Sequence, residues 1–297
     1  MSQKEVCENR RPSVSFLCDC LGISRQGYYK HTSEVCELDI LRTSVVLYSR
    51  HILSELMPRA GMKVLYHMCR EKFGDKMRIG RDQCYALFRA NGLVQRKRKR
   101  PRTTDSRHGL RVYPDMLNTM PKFRAVSLGS MAVADITYVA TSEGWAYLSL
   151  LTDAATRMII GYSLRRTLET EGPLTALRMG LDFYAEHGVD LSRLIHHSDR
   201  GSQYCSKEYV DTLRGVKASI SMTQTGDPLH NALAERMNNT VKNGWLFDCD
   251  DKDFGQVENM VRKAVTVYNN IRPHQALGMD TPARAAEVKK MTPTLAY

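Results

Sequence analysis

The sequence of 297 residues is 42% hydrophobic and 25% charged, a composition that excludes an intrinsically disordered or collagen-like chain. Residues 1–110 contain 22 Lys and Arg against 11 Asp and Glu, whereas residues 111–297 contain 21 of each kind. The first part therefore carries the whole net charge of +11, which predicts a basic region joined to a neutral one.

Neither a membrane segment nor a metal-binding cysteine motif is visible in the sequence. No stretch approaches the roughly 18 apolar residues of a membrane helix, and the start MSQKEVCENRRPSVSF lacks the apolar core of a signal peptide. We therefore expect a cytoplasmic protein without membrane contact. The eight cysteines form no CxxC pair and no Cys/His cluster with zinc spacing, which predicts reduced thiols rather than disulfides or structural zinc.

Residues 13–31 have the pattern of a helix-turn-helix. An apolar helix is followed by a turn at Gly22 and by a second helix capped by Ser24. Residues 60–93 repeat the arrangement, because an amphipathic segment is interrupted by glycines and followed by a second helix that stops at Asn91-Gly92. Two packed helices without DNA contact give the same pattern, so the function of these pairs stays open here.

The segment of residues 95–107 is strongly basic and has no apolar residue to bury. Seven cations in thirteen residues suit the negative charge of a nucleic-acid backbone, although a soluble tether is the alternative. We predict a basic helical DNA-binding region over 1–94, a basic linker over 95–125 and a separate, neutral domain over 126–290. The predicted DNA contacts in the linker are Arg96, Lys97, Arg98, Lys99 and Arg100.

From about residue 130, the residue pattern changes to one that is typical of β-strands. The segments MAVADITYVA, GWAYLSLLTDA and RMIIGYSL are short, rich in β-formers and separated by turn residues, which predicts an antiparallel meander. A helix, the strand SRLIHHSD, a helix, the strand ASISM and two helices over about 229–245 and 254–271 follow. The expected fold class is α/β, with a mixed five-stranded sheet and flanking helices after an all-α helix-turn-helix region.

Three carboxylates occupy positions that are suited to metal binding or catalysis. Asp135 lies in the middle of an apolar strand, Asp199 ends the strand RLIHHSD, and Glu235 lies on a predicted helix, on the face that offsets of −4, +3, +4 and +7 share. That face holds Asn231, Asn238, Asn239 and Lys242. Structural alternatives are a salt bridge for Asp135, a turn cap for Asp199 and a solvated surface for Glu235. If the three meet, their repulsion favours a divalent cation between them, with hard oxygen ligands that suit Mg²⁺ or Mn²⁺.

From about residue 13 to residue 290 the chain resembles the second-frame (OrfB-type) transposases of bacterial insertion sequences, whose core resembles retroviral integrases and has an RNase H-like fold. The resemblance is carried by ADITYV with Asp135, HHSDRGSQY with Asp199, NALAERMNNTVK with Glu235 and the C-terminal YNNIRPHQALGMDTPARA. Thirty-five residues separate Asp199 from Glu235, as in the family's Asp-Asp-35-Glu signature, and Lys242 also matches.

The resemblance implies an RNase H-like integrase catalytic core over 126–290 that performs metal-dependent DNA cleavage and strand transfer. Asp135, Asp199 and Glu235 would be the catalytic and metal-binding residues, with two Mg²⁺ or Mn²⁺ ions per active site. Lys242 and Asn231 are expected to contact DNA. The implied partners are the element's terminal repeats, target DNA, further copies of the chain, and an upstream-frame protein or fusion.

The chain departs from the family's pattern on both sides of Glu235. Arg236, Met237 and Asn238 stand where the family usually has Ser and an aromatic pair, and Leu229-His230-Asn231-Ala232 replaces Tyr-Asp-Asn-Ala. These differences leave the three acids intact and affect the expected DNA contacts. Asp153, in LLTDAATR, is the alternative first acid, and the ADITYV match favours Asp135.

Two other functions remain possible at this point. A DNA-binding regulator with the family fold would keep the basic N-terminal part but has no need of three acids at family spacing. A purely hydrolytic RNase H-like nuclease explains the acids but leaves the basic helical region without a use. Structural roles are expected for His196 and His197, since adjacent strand residues point to opposite faces, and for Arg272 at the end of the last helix.

Overall fold

The computed structural model describes residues 13–94, 113–116, 125–223 and 232–290. The described residues of Met1–His51 and Cys69–Val94 form one compact unit, and those of Ile52–Met68 and Gln95–Tyr297 form a second. The structure thus places residues 52–68 with the unit that contains the sheet, whereas the predicted functional boundary falls at residue 94. The assignment of DNA binding to 1–94 and of catalysis to 126–290 stays a prediction.

The helical part begins with the predicted helix-turn-helix. Gly22 ends the first helix with a φ of 65°, a backbone conformation that favours glycine. The hydroxyl of Ser24 then accepts a hydrogen bond from the N–H of Gly27 at 3.0 Å, so it caps the second helix as predicted. The elements are α1 (Val14–Leu21), α2 (Arg25–His51), a π-helical turn (Ile52–Leu56), α3 (Met62–Phe73), a 3₁₀ turn (Gly74–Lys76) and α4 (Arg81–Ala90).

The sheet has five strands in the order β3-β2-β1-β4-β5. The strands are β1 (Met131–Thr141), β2 (Gly144–Asp153), β3 (Ile159–Arg165), β4 (Ile195–Ser198) and β5 (Ser219–Met222). β1, β2 and β3 pair antiparallel, as the predicted meander requires, while β4 runs parallel to both β1 and β5. The mixed five-stranded sheet after a helical region confirms the expected fold class.

Helices cover the sheet on two sides, and alternate residues of β1 contact different helices. Ala132 and Ala134 belong to the larger apolar core, whereas Met131 and Val133 belong to a smaller cluster with Ala234. This alternation follows from the two-residue period of a strand. The remaining helices are α5 (Glu171–Glu186), α6 (Lys207–Gly215), α7 (Ala232–Gly244), α8 (Phe254–Asn270) and α9 (Pro282–Lys290), with 3₁₀ turns at Leu191–Arg193 and Gln275–Leu277.

The contact between β3 and α5 requires a glycine. A Cβ atom added at Gly161 would lie 1.9 Å from the carbonyl oxygen of Ala176, so the backbones of the two elements approach too closely for any side chain there. In the part of the chain that the structure describes, no helix is long and apolar enough to cross a membrane.

Candidate active site

Asp135 lies on β1, and Asp199 directly follows the neighbouring parallel strand β4. In the register of β1 and β4, Val133 is opposite His197, and each aspartate follows two residues later. Because residues two apart share a face, Asp135 continues the row of Met131 and Val133, which packs toward Ala234 of α7. The carboxyl end of β4 thus supplies Asp199 beside the middle of β1.

Glu235 lies in the first turn of α7, the helix that packs on β1 and β2. Its side chain is exposed. One turn later on the same helix, Asn238 is buried and its carboxamide donates a 2.7 Å hydrogen bond from Nδ2 to Oδ2 of Asp135. The helix therefore connects the third predicted acid to the first through a direct contact between α7 and β1.

The electrostatics of the three acids are coupled. The pKa of Asp135 is raised from 3.8 to about 7, chiefly by burial and then by the negative charge of Asp199, with a smaller contribution from Glu235. The hydrogen bond from Asn238 and the N–H of Ile136 oppose this shift. The side chain of Glu235 is exposed but still partly desolvated, and this desolvation, followed by the charge of Asp199, also raises its pKa. The three carboxylates therefore repel one another when charged, and ionising all of them at once is unfavourable.

The donor chemistry of this cluster fits a hard divalent cation. Carboxylate oxygens are the ligands that Mg²⁺ and Mn²⁺ prefer, and a cation would offset the repulsion that raises the pKa of Asp135. A buried acceptor also lies beside Asp135, since Oδ1 of Asn238 has no hydrogen-bond partner among the described residues. Over those same residues, no three His, Cys, Asp or Glu side chains are gathered as a ready-made metal group.

Asp153, the alternative first acid, is held in a structural network. Its side chain is fully buried, and Oδ2 accepts hydrogen bonds from the N–H of Gly129 and the hydroxyl of Tyr184, both at 2.9 Å. Oδ1 accepts two more from the N–H and hydroxyl of Thr156, both at 2.8 Å. Through these four hydrogen bonds, the Asp153 carboxylate joins the turn between β2 and β3 to α5. The contacts favour Asp135 as the chemically available acid.

The adjacent histidines His196 and His197 point to different partners, as expected for neighbouring residues of a strand. His196 shares a 2.9 Å hydrogen bond between Nε2 and the hydroxyl of Tyr209, and His197 shares one of the same length between Nδ1 and Oγ of Ser221. Burial lowers the pKa of His196 to about 3, so this ring is neutral. These buried contacts are consistent with the structural roles that we expected for both histidines.

The loop after β4 fixes the second acid. The N–H of Gly201 donates a 2.9 Å hydrogen bond to Oδ1 of Asp199. Lys242 is half-buried on α7, seven residues after Glu235. The other predicted DNA contacts lie outside the described residues, namely Asn231, Arg96, Lys97, Arg98, Lys99 and Arg100.

Two features near the site were not assigned by sequence reasoning. The shared helix face placed Asn238 near Glu235, but the contact of Asn238 with Asp135 depends on how α7 crosses β1. Arg272, which we expected to be structural, lines a pocket together with Glu235 and the segment Met57–Gly61. No local sequence signal links that segment to α7, because they are far apart in the chain.

Protein-family models match the part of the chain that contains the sheet. Two models described as "Integrase core domain" match the chain, one over residues 127–228 and the other over residues 216–282. Together these matches contain the three predicted acids and the whole sheet. A solved structure of the catalytic core domain of HTLV-2 integrase in complex with magnesium is 17% identical, covers 55% of this chain and 99% of its own, and has a TM-score of 0.43.

Two relatives extend beyond the integrase core. The "Insertion element IS600 uncharacterized 31 kDa protein" of Shigella sonnei is 32% identical, over 91% of this chain and 97% of its own. The "Transposase for insertion sequence element IS629" of the same organism is also 32% identical, over 73% of this chain and 71% of its own. The similarity therefore includes residues on the N-terminal side of the core.

Proposed function

The chain belongs to the IS3-family, OrfB-type transposases of insertion sequences, which have an integrase core domain, and we propose that it catalyses 3′-end cleavage and strand transfer of DNA. Transposases with this core catalyse DNA transfer. One observation carries the proposal for this chain: Asp135, Asp199 and Glu235, at the family's spacing, interact electrostatically on β1, after β4 and on α7. Electrostatic interaction among three acids at the family's spacing supports a shared role more than three separate structural roles.

The reaction would be two successive phosphoryl transfers without a covalent enzyme intermediate. Water first attacks the phosphodiester at the element end and frees a 3′-hydroxyl, and that hydroxyl then attacks a phosphodiester of the target. Asp135 and Asp199 would hold Mg²⁺ or Mn²⁺, with Glu235 completing a site for two ions. The bound ions would supply positive charge to the attacking and leaving oxygens.

The surrounding residues have positioning roles in this proposal. Asn238 fixes one oxygen of Asp135 by its 2.7 Å hydrogen bond, and the N–H of Gly201 fixes one oxygen of Asp199. The N–H of Ile136 holds the other oxygen of Asp135 at 3.0 Å, so the orientation of this carboxylate is defined at both oxygens. Preorganised ligands of this kind reduce the rearrangement needed when the site is loaded.

The partner of this activity would be DNA, as terminal repeats and as target. The basic residues 95–107 and the helical region suit sequence-independent phosphate contacts, and Lys242 extends this positive charge to α7. Holding two element ends together requires several copies of the chain, and an upstream-frame protein or fusion would complete the assembly. The protein would act at the nucleoid in the cytoplasm.

The proposal is tested with the full chain and DNA carrying the sequences that flank its gene, with and without Mg²⁺, and again with any upstream frame fused. We expect metal-dependent 3′ cleavage and joined products. Binding without either product, in the fused form as well, would favour the regulator. Cleavage without joined products would favour the hydrolytic nuclease.

A further inference from the structure

An open pocket of about 760 Å³ lies beside Glu235, between α7 and the segment Met57–Gly61. Both walls belong to the compact unit that contains the sheet. The polar side chains that line it, other than Glu235, are Arg59, Arg236, Asn239, Thr240, Asn243 and Arg272. The pocket therefore presents three guanidinium groups and several neutral polar groups next to one predicted catalytic carboxylate.

Two of the three arginines that line this pocket have no carboxylate partner among the residues that the structure describes. Within the described ranges, neither Arg236 nor Arg272 forms an ion pair, and the guanidinium of Arg272 lies 5.8 Å from the centre of the Tyr268 ring. Burial lowers the pKa of Arg272. Burial, followed by the charges of Arg272, Arg157 and Arg236, lowers the pKa of His274 to about 4. A half-buried cation without a carboxylate partner is costly, so an anionic ligand would be stabilising here.

The segment Met57–Gly61, one wall of the pocket, is anchored to residues that follow α7. The indole Nε1 of Trp245 donates a 2.7 Å hydrogen bond to the carbonyl oxygen of Leu56, and Trp245 is only 6% exposed. The guanidinium of Arg59 lies over the ring of Phe247, 4.8 Å from its centre. The segment Met57–Gly61 is therefore held in place by aromatic residues that follow α7, which makes the pocket a preformed feature of this unit.

We propose that this pocket binds the sugar–phosphate backbone of one DNA strand next to the reacting phosphodiester, with Arg236 and Arg272 contacting its phosphates. The inference rests on the proposed function, because it places that strand beside Glu235. A row of guanidinium and amide groups along an open pocket suits a chain of phosphates better than a compact small molecule. Asn239, Thr240 and Asn243 supply neutral hydrogen-bonding groups between the charges.

The chain offers a matched pair of sites for the test. On α7, the hydroxyl of Thr240 donates to the carbonyl of Arg236, and on α8 the hydroxyl of Thr266 donates in the same way to the carbonyl of Arg262. Only the first pair lines the pocket. A photoreactive amino acid is placed at position 240 or 266 of the full chain, and crosslinking to a fluorescent mixed-sequence DNA duplex is measured.

We expect crosslinks from position 240 and few from position 266. Arg236→Gln and Arg272→Lys should weaken the crosslink, whereas Arg262→Gln should not. Loss of one phosphate contact in Arg236→Gln should also lower the slope of log affinity against log salt by about 0.9. Arg236 is exposed, so this variant tests the pocket even if substitutions of the half-buried Arg272 disturb folding.

The outcomes separate the pocket from the proposed chemistry. Equal crosslinking from positions 240 and 266, with an unchanged salt slope in Arg236→Gln, would overturn the pocket proposal even if the protein joins DNA. Pocket-dependent crosslinking by a protein that never cleaves DNA would support the pocket while contradicting the proposed catalytic function.

Discussion

Asn238 of α7 donates a 2.7 Å hydrogen bond to Asp135 of β1, two residues that are 103 positions apart in the sequence. The bond crosses from the helix that bears Glu235 to the strand that bears the first acid. It also lowers the pKa of Asp135, against the larger effects of burial and of Asp199. Asn238 is therefore suited to hold the Asp135 carboxylate in one orientation and in its charged form.

Replacing Asn238 by Ala should reduce the rate of DNA cleavage about tenfold or more, since a hydrogen bond to a charged group contributes about 1.5–3 kcal/mol. Without this donor the pKa of Asp135 rises further, so the pH profile of cleavage should move to higher pH. Asn270→Ala is the control, because among the described residues the Asn270 carboxamide donates only to the carbonyl oxygen of Thr266 on its own helix. A lower rate with an unchanged pH profile would indicate a purely structural role for Asn238.

Asp135→Asn should stabilise the metal-free protein above neutral pH. The pKa of Asp135 is about 7 in the folded chain against an ordinary 3.8, so the folded state binds more protons between these values. The free energy of unfolding attributable to this group therefore falls as pH rises from about 4 to 7. Thermal melts in EDTA should show a gain on the order of a few kcal/mol for the variant above pH 7, shrinking toward pH 4. A gain that does not vary with pH would contradict the assignment.

Asp153→Asn should have the opposite effect on stability. The amide nitrogen would face donors that now point at a carboxylate oxygen, leaving buried groups of Gly129, Tyr184 or Thr156 unpaired. We expect a loss of about 2–4 kcal/mol in the free energy of unfolding, measured by urea titration. A stable Asp153→Asn protein that has lost cleavage would instead make Asp153 the first catalytic acid.

Gly161→Ala should destabilise the sheet unit, because the new methyl group would lie 1.9 Å from the carbonyl oxygen of Ala176. The backbones of β3 and α5 must then separate, at a cost of about 1–3 kcal/mol or more. Gly215→Ala is the matched control, since no atom lies within 4 Å of its added Cβ. Equal melting temperatures for the two variants would show that β3 and α5 are not packed as described.

The sequence was sufficient to predict the features that depend on local patterns. The three strands of the meander, the turn at Gly22 and the cap at Ser24 follow from short-range periodicity and turn chemistry, and the structure confirms them. The two-residue period of β1 also explains why Asp135 faces α7. The roles of Asp135, Asp199 and Glu235 stay predictions, supported by their electrostatic coupling.

Features that depend on the crossing of distant elements were beyond sequence reasoning. The bond between Asn238 and Asp135 depends on the position of α7 over β1, and the contact of Trp245 with Leu56 joins residues 189 positions apart. The same contact joins residues 52–68 to the sheet unit, although the predicted basic helical region extends over 1–94. Neither contact has a periodic or spacing signal in the sequence.

The most direct test measures Mg²⁺-dependent cleavage and joining of DNA that carries the flanking sequences of the gene. It compares the unmodified full chain with the variants Glu235→Gln and Glu258→Gln. Glu258, an exposed acid on α8, serves as the control. We predict that Glu235→Gln folds and binds DNA like the unmodified chain but gives neither cleaved nor joined products, whereas Glu258→Gln retains both steps. Normal strand transfer by Glu235→Gln would contradict the assignment of the third acid and the catalytic role of the cluster.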